Sequence, residues 1–176
     1  MKSQRVFQIA AVLFVATVVP FALATPPDDN ATCSITCTVA EIMEWEGNFP
    51  PIDLGTISSQ GDSKTGSASA VLYTNGDVTI TADNSSAAEL SAAGGDTLHT
   101  EYKLSYDGDG VTATGGSTVD WTTYNTFLQS GSSVTHVAGD GAVQVTLEVR
   151  ASNASGTLAD SGNYSATQTL TAAWAS

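Results

Sequence analysis

Cations are scarce in this chain: 5 Lys and Arg stand against 18 Asp and Glu in 176 residues, a formal charge of −13. Nucleic-acid binding draws its affinity from clustered Lys and Arg, so that class is excluded. Charge of either sign is sparse at 13%, whereas hydrophobic residues reach 41%, which excludes a wholly disordered chain. Long apolar runs are lacking after Val19, and with them any later helix able to span a bilayer. Catalytic signatures are lacking too. There is no Gly-x-Ser-x-Gly elbow, and Gly94-Gly95 leads to Asp96, not to the Lys of a phosphate-binding loop. Cysteines number two, at Cys33 and Cys37, and the paired spacing of a zinc site is missing.

The chain opens with the plan of a secretory leader. Lys2 and Arg5 precede an apolar stretch from Val6 to Val19, then Pro20 and the small-residue pattern Ala22-Leu23-Ala24. This predicts a signal peptide over residues 1–24, cleaved after Ala24. The expected product is secreted, periplasmic or at the cell surface, with no membrane insertion after cleavage; the alternative is an uncleaved N-terminal anchor. Cleavage removes two cations and no acid, so the mature chain is still more anionic. Such charge favours solubility and repels phosphate backbones and anionic lipid. Residues 25–32 read as a polar tail with two prolines, and residues 33–176 as a single domain.

From Cys33 onward apolar residues recur with period two between clusters of Gly, Asn, Asp and Ser. Cys33, Ile35, Cys37 and Val39 share one face, with Ser34, Thr36 and Thr38 opposite. Ala68–Tyr73 leads into Asn75-Gly76, a hairpin turn, and Val78, Ile80 and Ala82 point one way on the return. Leu98, Tyr102, Leu104 and Tyr106 alternate with His99, Glu101, Lys103 and Ser105. Val143, Val145, Leu147 and Val149 alternate with Gln144, Thr146, Glu148 and Arg150. Tyr164, Ala166, Leu170, Ala172 and Trp174 oppose Ser165, Thr167, Thr169 and Thr171. One face buried and one face wet is the habit of antiparallel sheets, and six or seven such strands predict an all-β antiparallel sandwich. Ala87–Ala93 reads as a helical turn or loop. Gly108–Gly141 reads as Gly/Ser/Thr-rich chain in which Trp121, Tyr124, Phe127 and Leu128 pack as a strand or short helix.

The order of landmarks carries a resemblance. A first segment CSITCTVA is followed by Pro51-Ile52-Asp53-Leu54-Gly55, the Asn75-Gly76 hairpin, a Tyr-x-Leu strand at Tyr102 and Leu104, a Val/Leu strand, and a closing Gly-x-Tyr-x-Ala segment from Gly162. This succession resembles spore coat protein U-like domains and the related archaic chaperone–usher fimbrial subunits. The resemblance implies an immunoglobulin-like sandwich whose fimbrial members polymerise when one subunit's extension completes the next subunit's sheet. It also implies partners: other copies or other surface subunits, and a periplasmic chaperone. Family members commonly join a first-strand Cys to one on a neighbouring strand, and Val71–Ala82 holds none here. Thr25–Thr32 lacks the alternating hydrophobics of a donated strand, and Cys33–Met43, the remaining candidate, reads as the domain's own first strand.

Candidate sites are few, and no residue is assigned a catalytic role. An internal small-loop disulfide between Cys33 and Cys37 is the expectation, with an intermolecular bond or free thiols as alternatives. It requires a bend, because a regular strand would hold the two Cα atoms about 13 Å apart. Asp107-Gly108-Asp109-Gly110 with Asp140-Gly141 offers hard oxygen ligands for calcium, against the simpler reading of plain turns. No other cofactor is implied. Trp121 and Tyr124 are candidates for an aromatic ligand platform, whereas Trp45, between Glu44 and Glu46, alternates inward and reads as core. His99 and His136 read as exposed spectators. Asn30, Asn84, Asn153 and Asn163 open Asn-x-Ser/Thr triplets, read as chance in a Ser/Thr-rich chain. The function expected is a secreted structural or surface protein, coat- or fimbria-like, working through assembly contacts. The alternatives are an extracellular module for carbohydrate or another ligand, with calcium as an option, and, third, a small hydrolase.

Overall fold

The computed structural model describes residues 29–153 and 158–176. The expected leader lies outside these residues, as does the start of the polar tail. Two units divide the chain, Met1–Thr38 and Val39–Ser176. Of the first, the described residues 29–38 form neither helix nor strand, and all are exposed.

In the second unit the alternating segments become strands: β1 (Met43–Trp45), β2 (Ser63–Thr74), β3 (Val78–Ala82), β4 (Ser91–Ala92), β5 (His99–Tyr106), β6 (Val119–Thr123), β7 (Ser132–Val134), β8 (Ala142–Ser152), β9 (Tyr164–Ser165) and β10 (Leu170–Trp174). All pairing is antiparallel. A five-stranded sheet runs β1-β2-β8-β5-β6, a three-stranded sheet runs β10-β3-β7, and β4 with β9 makes a two-stranded ribbon. The long central strand β8 pairs along nearly its whole length with β2 on one side and β5 on the other. Among the described residues the one helical element is a 3-10 turn at Ser86–Ala88, capped by the Ser85 side chain. No helix among them is long and apolar enough to cross a membrane.

Both main sheets feed one core, the arrangement of a β-sandwich. The larger contributes Leu72, Tyr102, Leu104, Val143, Val145, Leu147 and Val149; the smaller contributes Val78, Ile80 and Val134. Trp45 packs against this core, as its alternation predicts, with its ring 5.6 Å from that of Phe49. The stretch between β6 and β7 contributes the fully buried Phe127, 5.4 Å from Tyr102 between ring centroids. Tyr102 donates its hydroxyl to the Ala88 carbonyl at 2.7 Å, and burial pushes its pKa up to about 12. The Asn84 side chain ties down the same stretch, donating to the carbonyls of Tyr124 and Phe127 at 2.9 and 2.8 Å.

The Pro51–Gly55 segment packs over β2 at Gly66. A Cβ there would meet Ile52 Cγ2 at 2.5 Å and Leu54 Cδ2 at 2.9 Å, so the glycine makes room for this covering segment.

Two expectations are corrected here. The expected first strand over Cys33–Val39 is not formed: residues 29–42 lie outside any strand, and β1 begins ten residues later than expected. Trp174 does not join the core with Leu170 and Ala172. It stays 37% exposed and lies over Gly76, where an added Cβ would come within 3.2 Å of its ring.

Candidate functional site

The exposed N-terminal segment departs furthest from what its sequence calls for. Alternating apolar residues become stable by burial, at about 25 cal/mol per Å² of apolar surface. Yet Ile35 is 88% exposed and Val39 74% exposed, and Ile42, where the segment meets β1, is 47% exposed. Cys33 and Cys37 are both free and exposed, so the expected internal disulfide is not present. Each thiol faces the backbone carbonyl of the residue that follows it, at 3.8 and 3.9 Å. No bend joins the two sulfurs.

The root of the segment is held by one residue. Asn75, in the β2–β3 turn, donates its Nδ2 to the Ala40 carbonyl at 2.8 Å and accepts the Ile42 N–H on Oδ1 at 2.8 Å. Its own N–H donates to the Ile42 carbonyl at 3.1 Å. Asn75 therefore pairs with the incoming chain as a strand would, just before β1 takes over. The sequence marks Asn75 as a turn residue; this second role leaves no local pattern and is visible only in three dimensions.

Beside this anchor lies a recess of about 330 Å³ lined by Glu41, Asn75, Gly76, Asp77, Trp174 and Ala175. Asp77 Oδ1 accepts the His136 N–H at 2.8 Å, and the Asp77 carbonyl accepts the Ala175 N–H at 3.0 Å. The recess sets the partly exposed Trp174 indole beside the carboxylates of Glu41 and Asp77 and the amide of Asn75.

The calcium candidates are engaged with the backbone. Asp107 Oδ1 accepts the Gln144 N–H at 2.8 Å. Asp109 Oδ1 accepts the N–H groups of Thr112, Val111 and Ala113, which hold its carboxyl far below the usual carboxylate range. Asp140 Oδ2 accepts the Thr114 N–H at 3.0 Å, and its carbonyl accepts the Thr114 hydroxyl. No group of three or more His, Cys, Asp or Glu that could hold a metal ion occurs among the described residues. The glycines of this loop are there for close backbone approach: a Cβ on Gly108 would clash with the Thr114 carbonyl, and one on Gly115 with Gly108.

Trp121 and Tyr124 do not make one platform. Trp121 lies on the outer face of the large sheet, with the Arg150 guanidinium 4.7 Å and the Lys103 ammonium 6.0 Å from its ring centroid. Glu101 accepts from Arg150 Nε at 2.9 Å and Nη2 at 2.6 Å, and Glu148 pairs with Lys103 at 3.2 Å. Tyr124 instead packs against the core; desolvation and its hydrogen bond to Glu89 raise its pKa.

The two histidines also have separate partners. His99 is half-exposed, 3.7 Å from Glu101. His136 Nδ1 is 3.5 Å from the hydroxyl of Thr114, which is wholly buried and donates its proton to the Asp140 carbonyl. That hydroxyl is a structural hub, which also accepts the Val137 N–H at 2.9 Å.

Compared with known proteins, the chain matches no family model, no curated protein and no solved structure.

Proposed function

We propose that this chain is a secreted structural subunit of a cell surface, coat- or fimbria-like, that works by assembly with other copies or other surface subunits. On this reading residues 1–24 are a cleaved leader, the folded body is an immunoglobulin-like sandwich, and a periplasmic chaperone shields the adhesive surface before assembly. One observation carries the proposal. The segment over Cys33–Val39 has the alternation of a buried strand, and it is exposed. An extended segment with unpaired backbone groups and one apolar face gains both hydrogen bonds and burial by adding to a partner. Among the families this sequence resembles, an extension of this kind joins subunits.

The test is the size of the secreted protein in reducing buffer, by light scattering after gel filtration. Wild type is expected to form multimers, and an Ile35→Asp/Val39→Asp double variant, altered at exposed positions, to stay folded and monomeric. A wild type that remains monomeric at high concentration overturns the reading.

The recess under Trp174 supports a second reading, a module that binds neutral carbohydrate. There, monomeric wild type is retarded on a polysaccharide column and Trp174→Ala is not; an unretarded wild type removes this alternative.

A further inference from the structure

We infer that the partner of the exposed segment is the same segment of a second copy, the two strands running antiparallel about Ile35 so that Cys33 of each chain bonds Cys37 of the other. The inference rests on the assembly reading above and names both the partner and the register.

The chain holds two cysteines, so a disulfide between copies must join this pair to its counterpart. Extended, the segment cannot close on itself, because residues four apart along a strand are separated by about 13 Å and a disulfide needs Cα atoms about 4.4–6.8 Å apart. Opposite residues of an antiparallel pair lie about 4.5 or 5.5 Å apart, and both values fall inside that window. Centring the pair on Ile35 sets Cys33 opposite Cys37 of the other chain and, by the same two-fold axis, Cys37 opposite Cys33. The two cysteine pairs and the Ile35 pair share one face, because even steps along a strand preserve side. The contact is isologous: one patch satisfies itself, and no second surface has to be complementary.

Electrostatics and burial favour the same occupant. No charged side chain lies between Asp29 and Glu41, whereas the chain as a whole carries −13. Two copies therefore meet along a neutral stretch over residues 30–40, and the pairing ends there, because the next step in this register would set Asp29 opposite Glu41 of the other chain. Ile35, the more exposed of the two segment hydrophobics, is covered by its own counterpart, and Val39 falls opposite Ala31. A two-stranded ribbon is marginal in water by itself, and the two reciprocal disulfides fix it. Each bond forms by exchange with a small disulfide. A Cys33 thiolate attacks it and releases one thiol; the Cys37 thiolate of the other chain then displaces the second. The two electrons leave the cysteines for the small disulfide, which ends as two thiols, and the two cysteine protons, relayed through solvent, end on those thiols.

Complementation tests the register. Reduced protein is placed in a glutathione redox buffer and followed by non-reducing electrophoresis and mass mapping of the linked peptides. Wild type is expected to give a dimer linked Cys33 to Cys37. Cys33→Ser and Cys37→Ser alone each leave a thiol opposite a serine, and each is expected to dimerise about tenfold less, because the thiols lose the effective concentration that register supplies. An equimolar mixture of the two variants restores a covalent heterodimer.

The proposal is overturned if each single variant dimerises as well as the mixture, or if wild type forms an intrachain bond. The Cys33→Ser/Cys37→Ser variant in reducing buffer keeps the two ideas apart. If it assembles while the mixture fails, the register falls and the assembly reading stands. If neither it nor reduced wild type associates and the mixture also gives no heterodimer, both fall.

Discussion

The segment around Ile35 and strand β8 obey the same rule of alternation and meet opposite fates. In β8, Val143, Val145, Leu147 and Val149 are buried in the core while Gln144, Thr146, Glu148 and Arg150 face outward. Cys33, Ile35, Cys37 and Val39 repeat the pattern, yet all four are exposed. Local periodicity is common to both. Partners are not: β8 has a strand along each side, and the N-terminal segment has none among the described residues. Alternation therefore states what a segment needs, and the rest of the molecule decides whether it is supplied within the chain.

Core truncation gives the largest test of this contrast. Phe127→Ala, which empties a fully buried site against Tyr102, is expected to cost about 3–5 kcal/mol in denaturant unfolding. Ile35→Ala is expected to change monomer stability by less than about 0.5 kcal/mol, as at other exposed positions. A comparable loss from Ile35→Ala in the monomer would mean that the segment is packed in solution and would erase the distinction.

A smaller effect sharpens the boundary between the two regions. Asn75→Ala removes both side-chain hydrogen bonds at the segment's root and is expected to cost about 0.5–1.5 kcal/mol. In hydrogen exchange the Ile42 amide should lose protection while the β8 amides keep theirs. Equal loss in both places would show that Asn75 acts through the hairpin turn alone.

The smallest effect is read in pH. The Asp109 carboxyl titrates below its unfolded range because the backbone N–H groups of Thr112, Val111 and Ala113 favour its charged form. A depressed folded pKa gives stability that is fully present above the unfolded value of about 4 and is lost as pH falls below it. The melting temperature of Asp109→Asn is therefore expected to trail wild type at neutral pH, with the gap narrowing on acidification toward pH 2. A gap constant with pH would assign the effect to geometry, not to charge.

Much of the fold was legible because its strands obey period two under partners close in sequence or strongly apolar. Val78–Ala82 after an Asn-Gly turn and the Val/Leu run of β8 could be read directly. The helical turn near Ala87 and the packing of Phe127 were legible as elements but not in detail, since a buried aromatic between glycine-rich stretches fits a strand, a turn or a short helix. The site was harder. Cys33–Val39 reads as a strand because nothing in a local pattern reports a missing neighbour. Asp107, Asp109 and Asp140 read either as plain turns or as oxygen ligands, because backbone N–H groups and cations attract the same carboxylates. Trp121 and Tyr124 are three residues apart, and an odd step along extended chain sends one outward and the other to the core. Asn75, which holds the segment's base, looks in sequence like any hairpin asparagine.

That anchorage has a mechanical consequence. A neighbour tugging on the segment transmits load first to Ala40–Ile42, where the Asn75 amide and the short ladder of β1 on β2 share it. Tension then passes from the Asn75 turn into β2, the long strand braced lengthwise by β8, and into β3 of the smaller sheet. If the segment does take up a neighbour, traction on it is expected to part these few hydrogen bonds at the doorway before it disturbs the packed interior.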